Sequence, residues 1–190
     1  MTKQELRKLY KEKRTSLSAK ERMKLDDLLL IQFQKLDIGF AQLLLTYHAM
    51  ESHAEPDTDL FTHFLQFRLP GLQIAYPVTD LKNLQLHPKL VDEHTEFVTT
   101  SYGIEEPVNG EDIDATSIDI VFVPMLICDT NGYRVGFGKG FYDRFLPTCR
   151  KDVLKIGFSY FEPVSKIDDA NEFDVPLSFC ITPDRVYEFE

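Results

Sequence analysis

The sequence contains no tryptophan, few cysteines and histidines, and no long apolar run. Its three cysteines, Cys128, Cys149 and Cys180, form no Cys-x-x-Cys pair, and its five histidines are scattered without a His-x-x-x-His pair. This spacing argues against a disulfide framework and against a zinc site. No apolar run approaches the roughly eighteen residues of a membrane-spanning helix, and no signal peptide is evident. We therefore expect a cytoplasmic protein without a membrane partner.

The chain also lacks an excess of positive charge. Its 190 residues include 21 Lys and Arg against 31 Asp and Glu, a net charge of −10. That balance argues against general affinity for nucleic acid. The basic residues are unevenly spread, because nine of them lie in residues 1–24 beside three Glu. The length suits one domain with a real core, so we predict a single domain over residues 1–190 and a monomer.

Segments typical of strands and helices alternate through most of the chain, which predicts an open, largely parallel α/β sheet with helices on both faces. The capping boxes Thr2–Glu5 and Ser18–Glu21 begin two helices in residues 1–36, predicted to form an N-terminal helical layer. A further helix is predicted over 57–67, and the acidic stretch 91–117 predicts loops. Apolar runs predict strands at 41–47, 72–76 (ended by Pro77), 84–90, 118–126, 153–160, 179–182 and 186–189.

The rest of the chain is organised around residues 118–145. A buried strand is followed by a turn at 129–132, and then Gly136, Gly138 and Gly140 alternate with Phe137 and Lys139 before a helix begins. Such glycines cost stability in regular structure, but they allow a backbone to approach a ligand closely. The spacing is neither a Walker A loop nor Gly-x-Gly-x-x-Gly. A loop of exposed amides flanked by Arg134 and Lys139 predicts a phosphate site, with a purely structural glycine turn as the alternative.

Two other segments offer charged groups to such a site. Lys3 and Arg7 are four residues apart and share one helix face, so they either supply cations to the phosphate site or belong to a solvated basic helix. Glu55 lies between a strand and a helix, where α/β sheets place ligand contacts. A carboxylate that is merely solvated is the alternative there.

The sequence NGYRVGFGKGFYDRFL, preceded by the strand IDIVFVP, resembles the 5-formyltetrahydrofolate cyclo-ligase family. Support comes from KQELR at 3–7, from Glu55-Pro56-Asp57-Thr58 after Met50, from residues 103–107 and from FDVPLSFCIT at 173–182. Together these segments cover essentially the whole chain. The resemblance implies a three-layer α/β/α sheet like that of sugar-phosphate isomerases and CoA transferases. It also implies ATP- and Mg²⁺-dependent ring closure of 5-formyltetrahydrofolate to 5,10-methenyltetrahydrofolate, with release of ADP and phosphate.

The resemblance also assigns residues. Arg134 and Lys139 are implied as catalytic, Asp143 and Asp174 as acids associated with magnesium, and Met50, Glu55 and Tyr142 as folate contacts. The implied ATP-binding residues are Lys3, Arg7, Arg134, Gly136, Phe137, Gly138, Lys139, Gly140, Phe141 and Tyr142.

The chemistry agrees with these residue types, because phosphoryl transfer needs positioned cations and amides more than covalent help. Tyr102, Phe137, Phe141 and Tyr142 are available as aromatic walls for folate. The anionic folate tail, with polyglutamylated forms left open, suits the basic N-terminal face. Departures from the family pattern, such as Cys128 and Phe173 in place of a usual aromatic and a frequent His, affect folate contacts only.

Two other classes of function remain open from the sequence. One is a sugar-phosphate-binding protein of the same fold without ligase activity, which has no need of a second cationic face from Lys3 and Arg7. The other is an interaction protein that uses its basic N-terminal helices on an acidic partner.

Overall fold

The computed structural model of the protein describes residues 1–189. Within these residues, twelve strands and four α-helices follow one another, joined by 3-10 turns at Glu51–His53, Ala115–Ser117 and Leu146–Thr148. The elements are α1 (Lys3–Thr15), α2 (Ala19–Phe33), β1 (Leu43–Leu45), α3 (Thr58–Arg68), β2 (Gln73–Asp80), β3 (Gln85–Val91), β4 (Phe97–Thr99), β5 (Glu105–Pro107), β6 (Glu111–Asp112), β7 (Ile120–Phe122), β8 (Ile127–Cys128), β9 (Arg134–Val135), α4 (Phe141–Phe145), β10 (Leu154–Phe158), β11 (Phe179–Ile181) and β12 (Val186–Glu188).

Eight strands form the central sheet in the order β12-β11-β10-β7-β1-β2-β3-β6. The strands β11, β10, β7, β1 and β2 are mutually parallel. At the edges, β12 and β3 run antiparallel to them, and β6 pairs antiparallel with β3. The prediction of an open, largely parallel sheet is confirmed. Its central strands are apolar on both faces, as burial under two layers requires.

Helices cover both faces of this sheet. On one face, Leu29 and Phe33 of α2 and Phe61 and Leu65 of α3 pack against the strands β7 and β10. On the other face, α4 and the 3-10 turn after it contribute Phe145 and Leu146. The predicted α/β/α layering is therefore confirmed. Leu28 of α2, which its apolar character would place in the core, is instead exposed.

The two N-terminal helices do not share one packing surface. The apolar side of α1, Leu6 and Tyr10, packs on Ile127 and Val135 of the β8–β9 hairpin, at the end of the sheet. Helix α2 packs on the sheet face instead. Both begin with the predicted capping boxes; in α1, the Thr2 hydroxyl accepts from the amide of Glu5, and the Glu5 carboxylate accepts from the amide of Thr2. Their separation places α1 beside the glycine loop.

Three predicted boundaries were wrong for local reasons. Strand β2 does not end at Pro77 but continues to Asp80. Its pairing with β1 ends at Ala75, and Pro77 lies opposite Pro88 of β3. The missing N–H of Pro77 therefore interrupts no bond to β1. The run 118–126 forms a strand only at Ile120–Phe122, because the chain leaves the sheet at Pro124 and then starts a hairpin. The acidic stretch 91–117 holds three short strands, β4, β5 and β6, that its composition did not indicate.

Two further findings concern the cysteines and the helices of residues 1–189. The three cysteines are free and buried. In the same part of the chain, no helix combines the length and apolar character needed to cross a membrane.

Candidate active site

The glycine loop connects the β8–β9 hairpin to α4. The hairpin turns at Thr130-Asn131-Gly132, as its turn chemistry predicts, and the Asp129 carboxylate organises the turn. One carboxylate oxygen of Asp129 accepts from the amides of Asn131 and Tyr133 at 2.9 and 3.0 Å. Asp129 is buried, so the turn is held rigidly to the core. The loop over 136–140 therefore leaves a fixed hairpin and enters a helix.

Two of its glycines have backbone conformations that favour glycine. Gly138 has φ of +95° and Gly140, the N-cap of α4, has φ of +69°. A Cβ added at Gly138 would lie 3.3 Å from the guanidinium carbon of Arg7. The loop thus needs glycine both for its path and for the approach of α1. Because α4 has only five residues, the predicted anion affinity would come from the loop amides and nearby cations more than from a helix dipole.

Helix α1 brings its cations to this loop. Arg7 Nε donates to the carbonyl of Gly136 at 2.9 Å, and the side chain is half-buried. One turn earlier, Lys3 Nζ lies 2.6 Å from both carboxylate oxygens of Asp174. The shared helix face predicted for Lys3 and Arg7 is confirmed, and the alternative of a merely solvated basic face is wrong for these two residues. Lys139 is exposed at the tip of the loop.

Arg134 has its partners within the protein. Its side chain is 4% exposed and forms an ion pair with Asp143 at 2.9 Å. A second guanidinium nitrogen donates to the carbonyl of Val175. Burial lowers the pKa of Arg134, and the charge and hydrogen bond of Asp143 oppose that shift. The side chain thus ties α4 to the segment 173–177, and its predicted contact with phosphate stays a prediction.

The two predicted magnesium-associated acids lie on either side of this arrangement. Asp174 is bound to Lys3 and accepts from the amide of Asn171 at 2.7 Å. Asp143 uses Oδ1 for Arg134 and for the amide of Val175, at 3.2 Å, while its Oδ2 makes no hydrogen bond to residues 1–189. In that described part of the chain, no group of three or more His, Cys, Asp or Glu could hold a metal ion by itself. Mg²⁺ that arrives with nucleotide phosphates needs only one or two carboxylates, so this donor set fits it.

Glu55, in the loop between β1 and α3, is buried. Its side chain is 3% exposed, and Oε2 accepts from the amide of Met50 at 2.8 Å. The alternative of a solvated carboxylate is therefore wrong. Burial raises the pKa of the Glu55 carboxyl, while the Met50 hydrogen bond and the charge of Arg14 lower it.

Glu55 also lines a cavity of about 590 Å³ between α2, the loop after β1 and α3. The other acidic side chains in its wall are Asp26, Asp27, Glu51, Asp57, Asp59 and Glu105. So many carboxylates do not suit the anionic tail of a folate.

The remaining predicted folate and aromatic residues fall into two groups. Met50 is half-buried at the start of the 3-10 turn before Glu55, and Tyr142 on α4 is close enough to Glu55 for the carboxylate to raise its pKa, with burial as the larger cause. Phe137 stacks on His53 at 4.8 Å between ring centroids. Tyr102 is exposed at the tip of the β4–β5 hairpin.

Sequence reasoning missed Arg14, which is 2% exposed and lies between the loop and Glu55. Its guanidinium carbon lies 5.6 Å from the centre of the Phe137 ring. The signal was present: Lys3, Arg7 and Arg14 recur at helical spacing and so lie on one face of α1. A buried Arg cannot be told from a solvated one by spacing alone.

The sequence is similar to known proteins along nearly its whole length. A family model described as the 5-formyltetrahydrofolate cyclo-ligase family matches residues 1–183. A protein of Mycoplasma genitalium named 5-formyltetrahydrofolate cyclo-ligase is 28% identical over 186 residues, covering 94% of this chain and 97% of the relative.

Two solved structures resemble the whole chain. The NMR structure of Aquifex aeolicus 5,10-methenyltetrahydrofolate synthetase has a TM-score of 0.79 and 29% identity, covering 100% of this chain and 94% of that one. The 5,10-methenyltetrahydrofolate synthetase of Mycoplasma pneumoniae has a TM-score of 0.70 and 25% identity, covering 95% of this chain and 98% of that one.

Proposed function

The chain belongs to the 5-formyltetrahydrofolate cyclo-ligase family, and we propose that it is a ligase that closes 5-formyltetrahydrofolate to 5,10-methenyltetrahydrofolate with ATP. The observation that carries the ATP half of this proposal is the hydrogen bond from Arg7 to the carbonyl of Gly136. It brings a second cationic element to a glycine loop, as a triphosphate requires and a single sugar phosphate does not.

The reaction begins with an unreactive formamide. Transfer of the γ-phosphoryl group of ATP to the formyl oxygen forms a P–O bond, breaks the β–γ bridge and releases ADP. The formyl carbon then carries a phosphate as leaving group. The amine at folate N10 attacks that carbon and loses its proton, and the C–O bond breaks to release phosphate. Each step depends on holding two reactants in line.

The glycine loop and α1 would hold the nucleotide. The backbone at Gly138 lies close to the guanidinium of Arg7, and exposed Lys139 can approach the transferred phosphoryl group without breaking an internal contact. Lys3 gives up or shares its bond to Asp174 when a phosphate approaches. Arg134 would act chiefly by holding Asp143 and α4 in position.

Magnesium fits the acid side of the loop. Asp143 would hold the ion through Oδ2, with the nucleotide phosphates completing the coordination and Asp174 nearby. When bound, the ion neutralises charge on the β- and γ-phosphates. Both acids already balance a cation in the protein, so the site does not depend on the metal for its shape.

Glu55, Met50 and Tyr142 would hold the folate. A carboxylate accepts hydrogen bonds only, and the reduced pterin ring presents N–H donors. Oε1 of Glu55 makes no hydrogen bond to residues 1–189, which leaves it available to a ligand, whereas Oε2 is committed to Met50. Tyr142 supplies an apolar wall that reaches from α4 toward Glu55.

The test is to mix the protein with 5-formyltetrahydrofolate and Mg²⁺ and to follow the absorbance of methenyltetrahydrofolate with and without ATP. We expect product only with ATP, with one ADP per product. No product from folded protein, together with binding of a sugar phosphate, would support the sugar-phosphate alternative.

A matched pair of variants tests the role of α1. Deleting residues 1–15 would remove buried Leu6, Tyr10 and Arg14 and damage the fold, so point variants are sharper. Arg7→Ala should weaken ATP binding, measured by calorimetry, by at least tenfold. Lys8→Ala, which removes an exposed cation from the same helix, should leave it unchanged. Equal behaviour of the two variants would favour an interaction surface over a nucleotide site.

A further inference from the structure

Arg14 is buried where four segments of the site meet. Its Nε donates to the carbonyl of His53 at 2.8 Å, and one terminal nitrogen donates to the carbonyl of Met125 at 2.9 Å. The first carbonyl belongs to the 3-10 turn before Glu55, and the second follows β7. The guanidinium also lies over the ring of Phe137, in the glycine loop. Arg14 therefore contacts both the segment that precedes Glu55 and the glycine loop.

The third nitrogen of the Arg14 guanidinium makes neither of these hydrogen bonds. This NH2 group is buried and has no hydrogen-bond partner among residues 1–189. It lies 4.0 Å from Oε1 of Glu55, too far for a hydrogen bond but close enough for strong attraction between charges in a dry environment. A direct bond would occupy Oε1. At this distance the charge of Glu55 is balanced while Oε1 keeps its lone pairs.

The other groups around Glu55 do not balance its charge. Tyr47 after β1 and Tyr142 on α4 lie close enough to interact with the carboxylate, and the hydroxyl of Tyr160 after β10, which donates to Asp26 at 2.8 Å, lies 3.4 Å from the Glu55 carbonyl. All three tyrosines are neutral near pH 7, since burial raises each pKa above its ordinary value. Arg22 and His48 line the same cavity but are paired with Glu51 and Asp59, so Arg14 is the cation that faces Glu55.

We propose that Arg14 is a positioning residue that keeps Glu55 a charged, unblocked acceptor for the folate and connects it to the glycine loop. This inference rests on the proposed function. A purely structural role would use only the two bonds to the carbonyls of His53 and Met125. The two roles differ in one measurable property. Only if Arg14 positions and charges Glu55 does its removal make folate binding depend on pH.

The binding experiment compares the wild type with Arg14→Met, Arg14→Lys and the control Lys8→Met between pH 5.5 and 8.5. Dissociation constants for 5-formyltetrahydrofolate are measured on free, folded protein, with folding checked by circular dichroism. In Arg14→Met, Glu55 holds its proton to higher pH, so we expect affinity about tenfold below wild type at pH 7 and a recovery as pH rises. Arg14→Lys restores charge and should keep most of the wild-type profile. Lys8→Met should match the wild type.

Two results would overturn the proposal: an Arg14→Met profile parallel to that of the wild type at every pH, or Arg14→Lys as weak as Arg14→Met. If Arg14→Met does not fold, the single variants Arg14→Gln and Glu55→Gln and the double variant Arg14→Gln/Glu55→Gln decide. The loss of affinity in the double variant should be smaller than the product of the two single losses, because both changes act through one carboxylate. Independent, multiplying losses would contradict the coupling.

A measurement without substrate separates this inference from the proposed function. Protein labelled with ¹³C at glutamate carboxyls is titrated by NMR, and the Glu55 signal is identified by its absence in Glu55→Gln. We expect Glu55 to titrate at higher pH in Arg14→Met than in the wild type. An unchanged titration would refute the role of Arg14 even if the enzyme is active, whereas a shifted titration with no folate binding would refute only the proposed function.

Discussion

The two buried arginines of the site are bound in different ways. Arg134 forms a close ion pair with Asp143 and donates a second bond to Val175. Arg14 also donates two bonds to carbonyls, but its third nitrogen has no partner in residues 1–189 and its carboxylate lies 4.0 Å away. The direct pair of Arg134 and Asp143 holds α4 in one position, whereas the pair of Arg14 and Glu55 is unsaturated and leaves an acceptor for a ligand. Within residues 1–189, the glycine-loop side is thus held by a direct ion pair, and on the Glu55 side neither the third nitrogen of Arg14 nor Oε1 of Glu55 is hydrogen-bonded.

Arg134→Ala should have the largest effect, because it breaks the direct, buried ion pair with Asp143. Removing one partner of a buried ion pair costs about 3–5 kcal/mol, and the partial exposure of Asp143 favours the lower end. Turnover should fall on the order of a hundredfold or more as α4 and Asp143 lose their position. Chemical denaturation and the absorbance assay measure the two losses. Arg134→Lys keeps the charge and should recover part of the stability; a fully stable Arg134→Ala protein would break the comparison.

Gly138→Ala tests the loop that lies between the two arginines. The substitution places a methyl group 3.3 Å from Arg7 and forces an L residue to φ of +95°, which costs about 1–3 kcal/mol. We expect ATP affinity to fall by roughly ten- to a hundredfold by calorimetry, with folate affinity unchanged. The matched control is Gly71→Ala, at φ of +90° with no neighbour within 4 Å of the added Cβ. If both variants bind ATP alike, the glycine is structural.

Glu55→Gln probes the unsaturated side. The change keeps the shape of the side chain but replaces a charge-assisted hydrogen bond to folate, which contributes about 1.5–3 kcal/mol. Affinity for 5-formyltetrahydrofolate should fall roughly ten- to a hundredfold, with ATP affinity unchanged. Both are measured as separate dissociation constants, with exposed Glu93→Gln as control. A loss in ATP affinity alone would assign Glu55 to the nucleotide side.

The smallest effect is expected from Asp26, which lines the same cavity as Glu55 and whose neighbouring cation, Arg22, is bound to Glu51. Burial raises the pKa of Asp26 from 3.8 to about 6, while hydrogen bonds from Tyr160 and Asp57 oppose the shift. A raised carboxyl pKa contributes stability that is complete below the unfolded pKa and is lost as pH rises through the folded pKa. The contribution should therefore disappear between about pH 4 and 6.

Partial exposure screens this effect, so we expect a change on the order of 1 kcal/mol. The measurement is the free energy of unfolding of wild type and Asp26→Asn at pH 4 and pH 7. The wild type should lose stability relative to Asp26→Asn as pH rises. A constant difference between the two proteins would show that Asp26 titrates normally.

Local sequence patterns predicted many of the helices and strands. The capping boxes at Thr2 and Ser18 set both N-terminal helix starts, and the apolar runs located the strands of the parallel sheet. These features depend on neighbours a few residues apart, which a sequence displays directly. The short strands in 91–117 were missed because their pairing is supplied by distant segments, such as β3 for β6.

The sequence by itself determined that a glycine loop with flanking cations follows a buried strand, that Lys3 and Arg7 share a face, and which family the whole chain resembles. Only the tertiary structure decided which charged side chains pair with one another. Arg134 and Lys3 neutralise Asp143 and Asp174, and Arg14, eleven positions after Lys3, is buried against Glu55. The physical reason is that the cost of a charge depends on its burial and its partners, and both come from residues far away in the chain.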